Sequence, residues 1–152
     1  MLDRGMLVFR PMLEEDLQAI MQIEQAAYQF PWTEAIFQDC LRVGYCCWIL
    51  EIDDNVVGHG VMSVAAGESH ILNLCVHPDS QNSGLGREML EHLLVIARHH
   101  LADTVFLEVR PSNEAAKRLY WGAGFNDVGI RSNYYPAESG REDAVIMARN
   151  LT

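Results

Sequence analysis

The sequence lacks any apolar run approaching the roughly 20 residues that a membrane-spanning helix needs, and it has no low-complexity tract. Its first residues, MLDRGMLVFRP, contain an acid and an arginine and lack the long apolar core of a secretory signal. These absences predict a cytoplasmic protein that does not contact a membrane. A length of 152 residues, without internal repeats or a linker, predicts a single domain over residues 1–152.

Motifs for metal binding are also lacking. The four cysteines, at positions 40, 46, 47 and 75, form no Cys-x-x-Cys pair, and the six histidines form no His-x-x-x-His pattern. Because most neighbours of the cysteines are apolar, we expect buried free thiols in a reducing compartment and no disulfide framework. The sequence therefore predicts no metal site.

Lysine is scarce. Lys117 is the only lysine, and together with the arginines it gives 11 basic residues against 21 acidic ones, for a net charge of −10. Such a surface repels the phosphate backbone of nucleic acids, so direct nucleic-acid binding is not expected. It attracts a polyamine or a basic peptide tail. Charge that serves solubility alone accounts for this composition equally well.

The hydrophobic periodicity predicts strands and helices in the order βααβββαβαββ. Asp53-Asp54-Asn55 is expected to form a hairpin turn, and Thr33 is expected to cap the second helix. The order predicts an α/β domain with one mixed, mostly antiparallel central sheet of about seven strands flanked by about four helices. The predicted strands span residues 6–12, 45–52, 56–64, 70–76, 104–110, 125–134 and 142–151, and the predicted helices span residues 14–28, 33–41, 87–100 and 113–121.

The stretch HPDSQNSGLGREML, residues 77–90, places two glycines just ahead of a predicted helix. A helix N-terminus carries unpaired backbone N–H groups and a partial positive charge, and glycines let the backbone approach a phosphate closely. The stretch is not a P-loop, because no Lys-Ser or Lys-Thr follows the second glycine, and it lacks the third glycine of the dinucleotide fingerprint. Two interpretations stay open at this point, a phosphate cradle and an ordinary loop.

Polar residues follow or interrupt the later elements. Strand TVFLEVR, residues 104–110, has one fully apolar face, so Glu108 points to the other face, near the strand's C-terminal end, where open-sheet sites commonly lie. Two interpretations of Glu108 stay open, a carboxylate in a functional site and a simple ion pair with Arg110. Two also stay open for Tyr120, a lone aromatic on the last predicted helix: a side chain of the site and core packing. Asn113 is suited to cap that helix.

Several of these features together resemble the GNAT family of acetyl-CoA-dependent N-acetyltransferases, over essentially the whole chain. They are the strand order, the Gln81-x-x-Gly84-x-Gly86 spacing, and SNEAA followed by LY and GF. The resemblance implies the GNAT fold, with acetyl-CoA as cosubstrate and no metal. Three tracts, IEQAAYQFPW, LEVRPSNEAAKRLY and IRSNYYPAESGREDAVIM, are more specifically similar to the ribosomal-protein alanine N-acetyltransferases. They imply that the acceptor is a protein N-terminal α-amine, with alanine of a small basic ribosomal protein expected.

The resemblance also implies roles for individual residues. Glu108 is implied as the general base, acting directly or through a water, and Tyr120 as the acid that protonates the departing thiolate. The residues implied to hold coenzyme A are Leu74, Cys75 and Val76 along the pantetheine arm, Gln81, Asn82, Ser83, Gly84, Leu85, Gly86 and Arg87 around the pyrophosphate, and Asn113.

Asn82 departs from the family pattern, because many relatives have an arginine at this position. The loss of that cation is expected to weaken coenzyme affinity moderately while leaving the backbone cradle intact.

Six residues are implied to line the peptide entrance, and ordinary packing and hairpin-end charges are an equally good interpretation of them. They are Phe30, Trp32, Tyr134, Tyr135, Glu142 and Asp143.

The predicted protein is an N-terminal acetyltransferase in which acetyl-CoA and the acceptor are bound together, and the order of binding is left open. Two other functions also stay open. One is a GNAT acetyltransferase of a small amine or polyamine, and the other is a protein that binds coenzyme A as a sensor, without turnover.

Overall fold

The computed structural model describes residues 5–81 and 83–152, and it confirms the predicted order of strands and helices. The strands are β1 (Leu7–Pro11), β2 (Cys46–Ile52), β3 (Asn55–Ala65), β4 (Glu68–Val76), β5 (Thr104–Val109), β6 (Asn126–Pro136) and β7 (Arg141–Asn150). The helices are α1 (Leu17–Ala27), α2 (Glu34–Arg42), α3 (Leu85–His99) and α4 (Glu114–Gly122), with single 3-10 turns at Glu14–Asp16 and Pro78–Ser80.

All seven strands form one sheet in the order β1-β2-β3-β4-β5-β7-β6. Only β4 and β5 run parallel, and the other five neighbouring pairs are antiparallel. Helix α3 forms the crossover that two parallel strands require. The α/β class with a mixed, mostly antiparallel sheet is therefore confirmed.

Hydrophobic side chains form one cluster on each face of the sheet. Val61 and Met62 are neighbours on β3 but belong to different clusters, because successive side chains of a strand point to opposite faces. Helices α3 and α4 cover one face, and α1 and α2 cover the other. All four cysteines are free, as expected, and Cys46 is the one that is only partly buried.

Two predicted features at element ends are confirmed, the cap of α2 and the turn between β2 and β3. The Thr33 hydroxyl accepts a hydrogen bond from the Ile36 N–H at 3.3 Å, which is the expected cap of α2. Asp53 and Asp54 adopt φ values of 49° and 70° in the hairpin turn between β2 and β3. Aspartate tolerates this left-handed conformation better than most residues do.

The predicted start of α3 at Arg87 is wrong by two residues. The helix begins at Leu85, so Gly86 lies in its first turn and only Gly84 lies in the turn before it. Gly84 has a φ of 82°, which a residue with a Cβ adopts only at a cost. The conformation of the chain therefore favours glycine at position 84, whereas Gly86 is an ordinary helical residue in its backbone conformation.

Asp16 ties β1 to the start of α1. Its carboxylate accepts hydrogen bonds from Arg10 Nη1 at 2.8 Å and Nη2 at 2.7 Å, and from the Leu13 N–H at 2.7 Å. The Arg10 guanidinium lowers the pKa of the Asp16 carboxyl, outweighing the opposing effect of burial.

A β-bulge in β4 lies at the centre of the sheet. On β3, Val61 pairs with Asn73 but Met62 pairs with Ile71, so Leu72 is an extra residue. A bulge bends its strand and increases the local twist. The pairing of β4 with β5 ends at Ile71, although both strands continue. The two parallel strands therefore separate and leave a gap.

None of the helices in the described parts of the chain combines the length and the apolar character that crossing a membrane requires.

Candidate active site

A cavity of about 1030 Å³ opens where β4 and β5 separate. Its lining comes from α1 and the loop after it, from β4 and β5, from the start of α3, and from α4. Glu108 and Tyr120 lie in this lining, together with Gly84, Gly86 and Asn113. One cavity therefore contains residues that the sequence assigned to coenzyme binding and residues that it assigned to catalysis.

The end of β4 forms one wall of the cavity, with Leu74, Cys75 and Val76 in the lining. The Leu74 carbonyl accepts a hydrogen bond from the Tyr28 hydroxyl at 2.9 Å, and the Val76 carbonyl accepts one from Gln81 Nε2, also at 2.9 Å. Burial raises the pKa of the Cys75 thiol to about 12, and the nearby Glu24 carboxylate has the same effect. The thiol therefore stays protonated at neutral pH.

The turn before α3 places Gln81 and Gly84 in the cavity lining, and the first turn of α3 places Gly86 and Arg87 there. Arg87 is engaged by its own helix and by α4, since its Nε donates to Glu91 Oε1 at 2.9 Å and its Nη1 donates to a backbone carbonyl at 3.3 Å.

Ser83 and Leu85, which were also predicted to hold the pyrophosphate, lie outside this lining. The Ser83 hydroxyl donates to the Ser80 carbonyl within the turn. The Leu85 side chain is buried in the core, which leaves only its main chain for a ligand. Asn82 lies outside the described residues.

Helix α4 presents Asn113 and Tyr120 to the cavity. Asn113 Oδ1 accepts a hydrogen bond from the Ala116 N–H at 3.1 Å, which confirms the predicted helix cap. Tyr120 is buried and contacts Phe125 edge to face, with 5.9 Å between ring centroids. Burial raises the pKa of the Tyr120 phenol to about 12, with a further contribution from Cys75. Tyr120 thus both packs in the core and lines the cavity.

Glu108 lies on the polar face of β5, as predicted, and its side chain is only 11% exposed. Its Oε2 is in close contact with Nε2 of His70, and its Oε1 accepts a hydrogen bond from Arg131 Nη1 at 3.3 Å. Arg110 is paired elsewhere, since its Nη1 donates to Glu142 Oε1 at 3.1 Å. The alternative of a Glu108–Arg110 ion pair is therefore wrong.

Glu24 is a buried acid that sequence analysis missed. Its carboxylate accepts a hydrogen bond from the Trp32 N–H at 2.9 Å, contacts His59 Nε2 at 3.0 Å, and accepts from Asn73 Nδ2 at 3.2 Å. Beyond the bulge in β4, Asn73 and Cys75 lie beside Glu24 of α1, where this network forms. One oxygen of Glu24, one nitrogen of His59 and the Cys75 sulfur lie within 4.8 Å of one another. Glu24, His59 and Asn73 thus form one buried hydrogen-bonded network beside the Cys75 thiol.

An aromatic and basic wall closes the side of the cavity nearest β6. The Arg110 guanidinium lies 4.4 Å from the centroid of the Tyr135 ring and 5.4 Å from that of Phe30. The cavity lining includes Phe30, Trp32 and Tyr135. Burial raises the pKa of the Tyr135 phenol. Three of the six predicted entrance residues therefore share one surface.

The other three entrance residues lie outside the cavity lining. Tyr134 packs against Tyr135 and lies 4.8 Å from the Arg131 guanidinium. Asp143 Oδ1 accepts a hydrogen bond from the Asn133 N–H at 2.9 Å, where φ is 54°.

Glu142 supports the wall through Arg110 and also accepts a hydrogen bond from the Ser112 N–H at 3.0 Å. Partial burial acts to raise the pKa of Glu142, but the hydrogen bonds from Ser112 and Arg110 outweigh it and lower that pKa.

A model of the acetyltransferase (GNAT) family matches residues 15–125, which include Glu108 and Tyr120. The chain is 44% identical over 133 residues to the ribosomal protein bS18 alanine N-acetyltransferase of Salmonella typhimurium, a match that covers 88% of this chain and 90% of that protein.

Two solved structures have closely similar folds. The crystal structure of the ribosomal-protein-S18-alanine N-acetyltransferase from Escherichia coli superposes with a TM-score of 0.90 at 39% identity, covering 97% of this chain and 95% of that one. The structure of Ard1 from Thermoplasma volcanium superposes with a TM-score of 0.87 at 26% identity, covering 96% and 98%.

Proposed function

Because the chain belongs to the acetyltransferase (GNAT) family, we propose that it transfers the acetyl group of acetyl-CoA to the α-amine of an N-terminal alanine. The proposed acceptor is ribosomal protein bS18, which appears in the names of the relatives from Salmonella typhimurium and Escherichia coli. The observation that carries the proposal is the single cavity that contains the glycine turn, Glu108 and Tyr120.

The cavity suits acetyl-CoA, the acetyl donor that the family uses. Beyond Ile71 the edge of β4 is not paired with β5, which leaves room for the pantetheine arm to lie beside it in the manner of an added strand. The Leu74 and Val76 carbonyls each already accept one side-chain hydrogen bond, and a carbonyl oxygen has a second lone pair for a ligand. Gly84 and Gly86 lie at the N-terminus of α3, where backbone N–H groups favour a pyrophosphate. Asn82 supplies no cation, so we expect the binding energy there to come mainly from the backbone.

Glu108 is the proposed general base. Its two oxygens are held by His70 and Arg131, so the carboxylate has a fixed position in the cavity lining. Attack on a thioester requires a neutral amine, and the carboxylate removes the proton that the amine must lose.

Tyr120 is the proposed acid for the departing thiolate. In water, a phenol with a pKa near 10 is a weaker acid than a thiol near 8.5, so this transfer is uphill by about 2 kcal/mol. In the cavity, the Cys75 thiol and the Tyr120 phenol both have a pKa raised to about 12. Burial disfavours anionic forms, so the Tyr120 phenol keeps its proton at neutral pH, and the same surroundings would favour protonation of a thiolate beside it.

An α-amine suits this site better than a lysine side chain. The α-amine has an ordinary pKa of about 7.7 to 8.0 and lysine about 10.4, so deprotonating lysine at neutral pH costs about 3.5 kcal/mol more. A single carboxylate base handles the α-amine more easily. The net charge of −10 also attracts a basic tail such as that expected of a ribosomal protein.

The test is acetylation of synthetic peptides, followed by mass spectrometry. The panel contains a basic peptide that begins with alanine, the same peptide with a blocked N-terminus and an internal lysine, and a polyamine. We expect one added acetyl group on the first peptide alone. Acetylation of the polyamine in preference to the peptide would contradict the proposed acceptor class.

Two substitutions test the proposed roles of the catalytic residues. Glu108→Gln and Tyr120→Phe are each expected to lower kcat about 100-fold or more, because a positioned acid or base contributes about 10²-fold to 10⁴-fold. Calorimetry with acetyl-CoA is the control, and its affinity should stay within about threefold of the unsubstituted protein. Full activity in Glu108→Gln would show that another group acts as base.

A further inference from the structure

Three side chains of the kinds that bind metal ions lie together in and behind the cavity wall. One oxygen of Glu24, one ring nitrogen of His59 and the sulfur of Cys75 lie within 4.8 Å of one another. The residues belong to α1, β3 and β4, so no spacing in the sequence indicates the group. All three are buried, and Glu24 and Cys75 lie in the cavity lining, which gives an ion a path to them.

The polar groups around Glu24 leave room for a cation. Its carboxylate contacts a backbone N–H, the Asn73 amide and the His59 imidazole, and among the described residues no arginine or lysine pairs with it. Oδ1 of Asn73 is buried and has no hydrogen-bond partner in the part of the chain that the structure describes. Buried carboxylates are paired or coordinate metals, and an unpaired buried polar atom indicates a water or an ion beside it.

The types of donor favour zinc over magnesium or calcium. A thiolate, an imidazole and a carboxylate bind Zn²⁺ through bonds of about 2.0 to 2.3 Å, whereas Mg²⁺ and Ca²⁺ prefer oxygen ligands alone. Tetrahedral bonds of that length place the ligand atoms about 3.3 to 3.6 Å apart. Oε1 of Glu24 and Nε2 of His59 are 3.0 Å apart. Shifts of about 1 Å would therefore bring all three ligands onto one ion.

We propose that Glu24, His59 and Cys75 bind one zinc ion, and that this ion competes with acetyl-CoA for the cavity. On binding, the Cys75 thiol releases its proton to water and the sulfur bonds to zinc, while the imidazole bonds through Nε2 and carries its proton on Nδ1. The two negatively charged ligands balance the charge of the ion, and no electrons are transferred. Water from the cavity fills the fourth position and gives Oδ1 of Asn73 the donor that it lacks.

Zinc is expected to bind reversibly and to inhibit. A metal-bound histidine usually donates its second N–H to an acceptor, and Nδ1 of His59 has none among the described residues, which lowers the affinity. Cys75 lies between Leu74 and Val76, in the part of β4 proposed to lie along the pantetheine arm. The competition therefore rests on the proposed function, whereas the three ligands do not.

Titration with Co²⁺ tests the site, because a cobalt–thiolate bond gives a charge-transfer band that zinc then abolishes. We expect one ion per chain in protein without an affinity tag. Cys75→Ser and Glu24→Gln should each weaken the affinity about 100-fold or more, since loss of an outer-shell partner alone costs about 10-fold to 100-fold. The control is Cys46→Ser, which should leave the affinity unchanged. Cys46 is matched to Cys75 because its sulfur also lies near a histidine, 3.8 Å from Nε2 of His100.

The competition is measured at a free Co²⁺ concentration that a metal buffer holds constant, because the phosphates of the coenzyme also bind metals. Saturating acetyl-CoA should lower the apparent affinity for cobalt about 10-fold or more. Zinc should lower the affinity for acetyl-CoA by the same factor, because coupling between two ligands is reciprocal.

A missing thiolate band in the unsubstituted protein, or a band that persists in Cys75→Ser, would overturn the site. An affinity for cobalt that acetyl-CoA leaves unchanged would overturn the competition. Thermal melting establishes that each variant is folded, and the titration of the unsubstituted protein needs no variant. Calorimetry with acetyl-CoA in the absence of metal and the peptide assay test the proposed function separately, so its failure would leave cobalt binding by the three ligands in place.

Discussion

Replacement of Glu24 by alanine gives the strongest test of how the cavity is held together. The side chain is 1% exposed and accepts hydrogen bonds from the Trp32 N–H and Asn73, besides its contact with His59. Alanine would leave all three of these groups without their partner. Nδ1 of His59 and Oδ1 of Asn73 already lack a hydrogen-bond partner among the described residues, so little compensation is available nearby.

The magnitude follows from the three lost contacts. A buried polar group without a partner costs about 1 to 3 kcal/mol, and water from the cavity can satisfy part of the loss because Glu24 lies in the lining. Values at the lower end of that range give a total of about 3 to 5 kcal/mol, against a whole stability of about 5 to 15 kcal/mol for a typical domain. We therefore expect a protein that is folded but markedly less stable.

Urea unfolding followed by tryptophan fluorescence measures this change, since Trp32 itself contacts Glu24. The matched control is Gln25→Ala, an exposed position on the same helix, which should change the free energy of unfolding by less than about 0.5 kcal/mol. A cost below about 1 kcal/mol for Glu24→Ala, at an unchanged m-value, would show that the network contributes little and would refute the reasoning.

Three other predictions follow from the same contacts. Alkylation of Cys75 by iodoacetamide at pH 8, measured by peptide mapping, should be about a thousandfold slower than that of a free thiol, because a pKa of about 12 leaves little thiolate. Labelling of the folded protein as fast as that of the unfolded chain would contradict this. Asp16→Asn should destabilise the protein by about 1 to 3 kcal/mol near pH 7. Because the pKa of this carboxyl is lowered in the folded protein, the stability that Asp16 contributes is fully present above its ordinary pKa near 4 and should be lost as the pH falls through the lower folded pKa. A difference in stability between the two proteins that stays constant in acid would count against the ion pair. Gly58→Ala should lower the free energy of unfolding in urea by about 1 to 3 kcal/mol and weaken acetyl-CoA binding, because the new Cβ would lie 2.9 Å from the Cys75 carbonyl oxygen. In the control Gly129→Ala, the new Cβ meets only a side-chain methyl at 3.5 Å. Equal effects of the two substitutions would exclude the clash with the carbonyl as the cause.

Local patterns in the sequence were sufficient to predict the order of elements and several of their ends. Thr33 and Asn113 cap their helices as expected, because a cap depends on a hydrogen bond within a few residues. Alternation along β5 correctly placed Glu108 on its polar face. Glu24 could have been found in the same way, since it follows Ile20 by four residues and so falls on the buried stripe of α1.

The shortfalls in the predicted element ends arise where geometry depends on more distant neighbours. The β3–β4 hairpin extends to Ala65 and Glu68, beyond the predicted ends, because Ala66 and Gly67 form the turn with φ values of 52° and 81°. Alanine gives no sequence signal for a left-handed conformation, so the tight two-residue form of this turn is not apparent from residue types.

By itself, the sequence determined which segments become strands and helices, and which side chains could carry acid and base chemistry. The tertiary structure alone decided that Leu72 is the extra residue of a bulge, that β4 and β5 separate beyond it, and that His70 contacts Glu108. Periodicity and capping are set by residues within one or two turns, whereas these contacts depend on the register between strands far apart in the chain. A shift of one residue in that register would turn each side chain to the opposite face of the sheet, and no local pattern determines it.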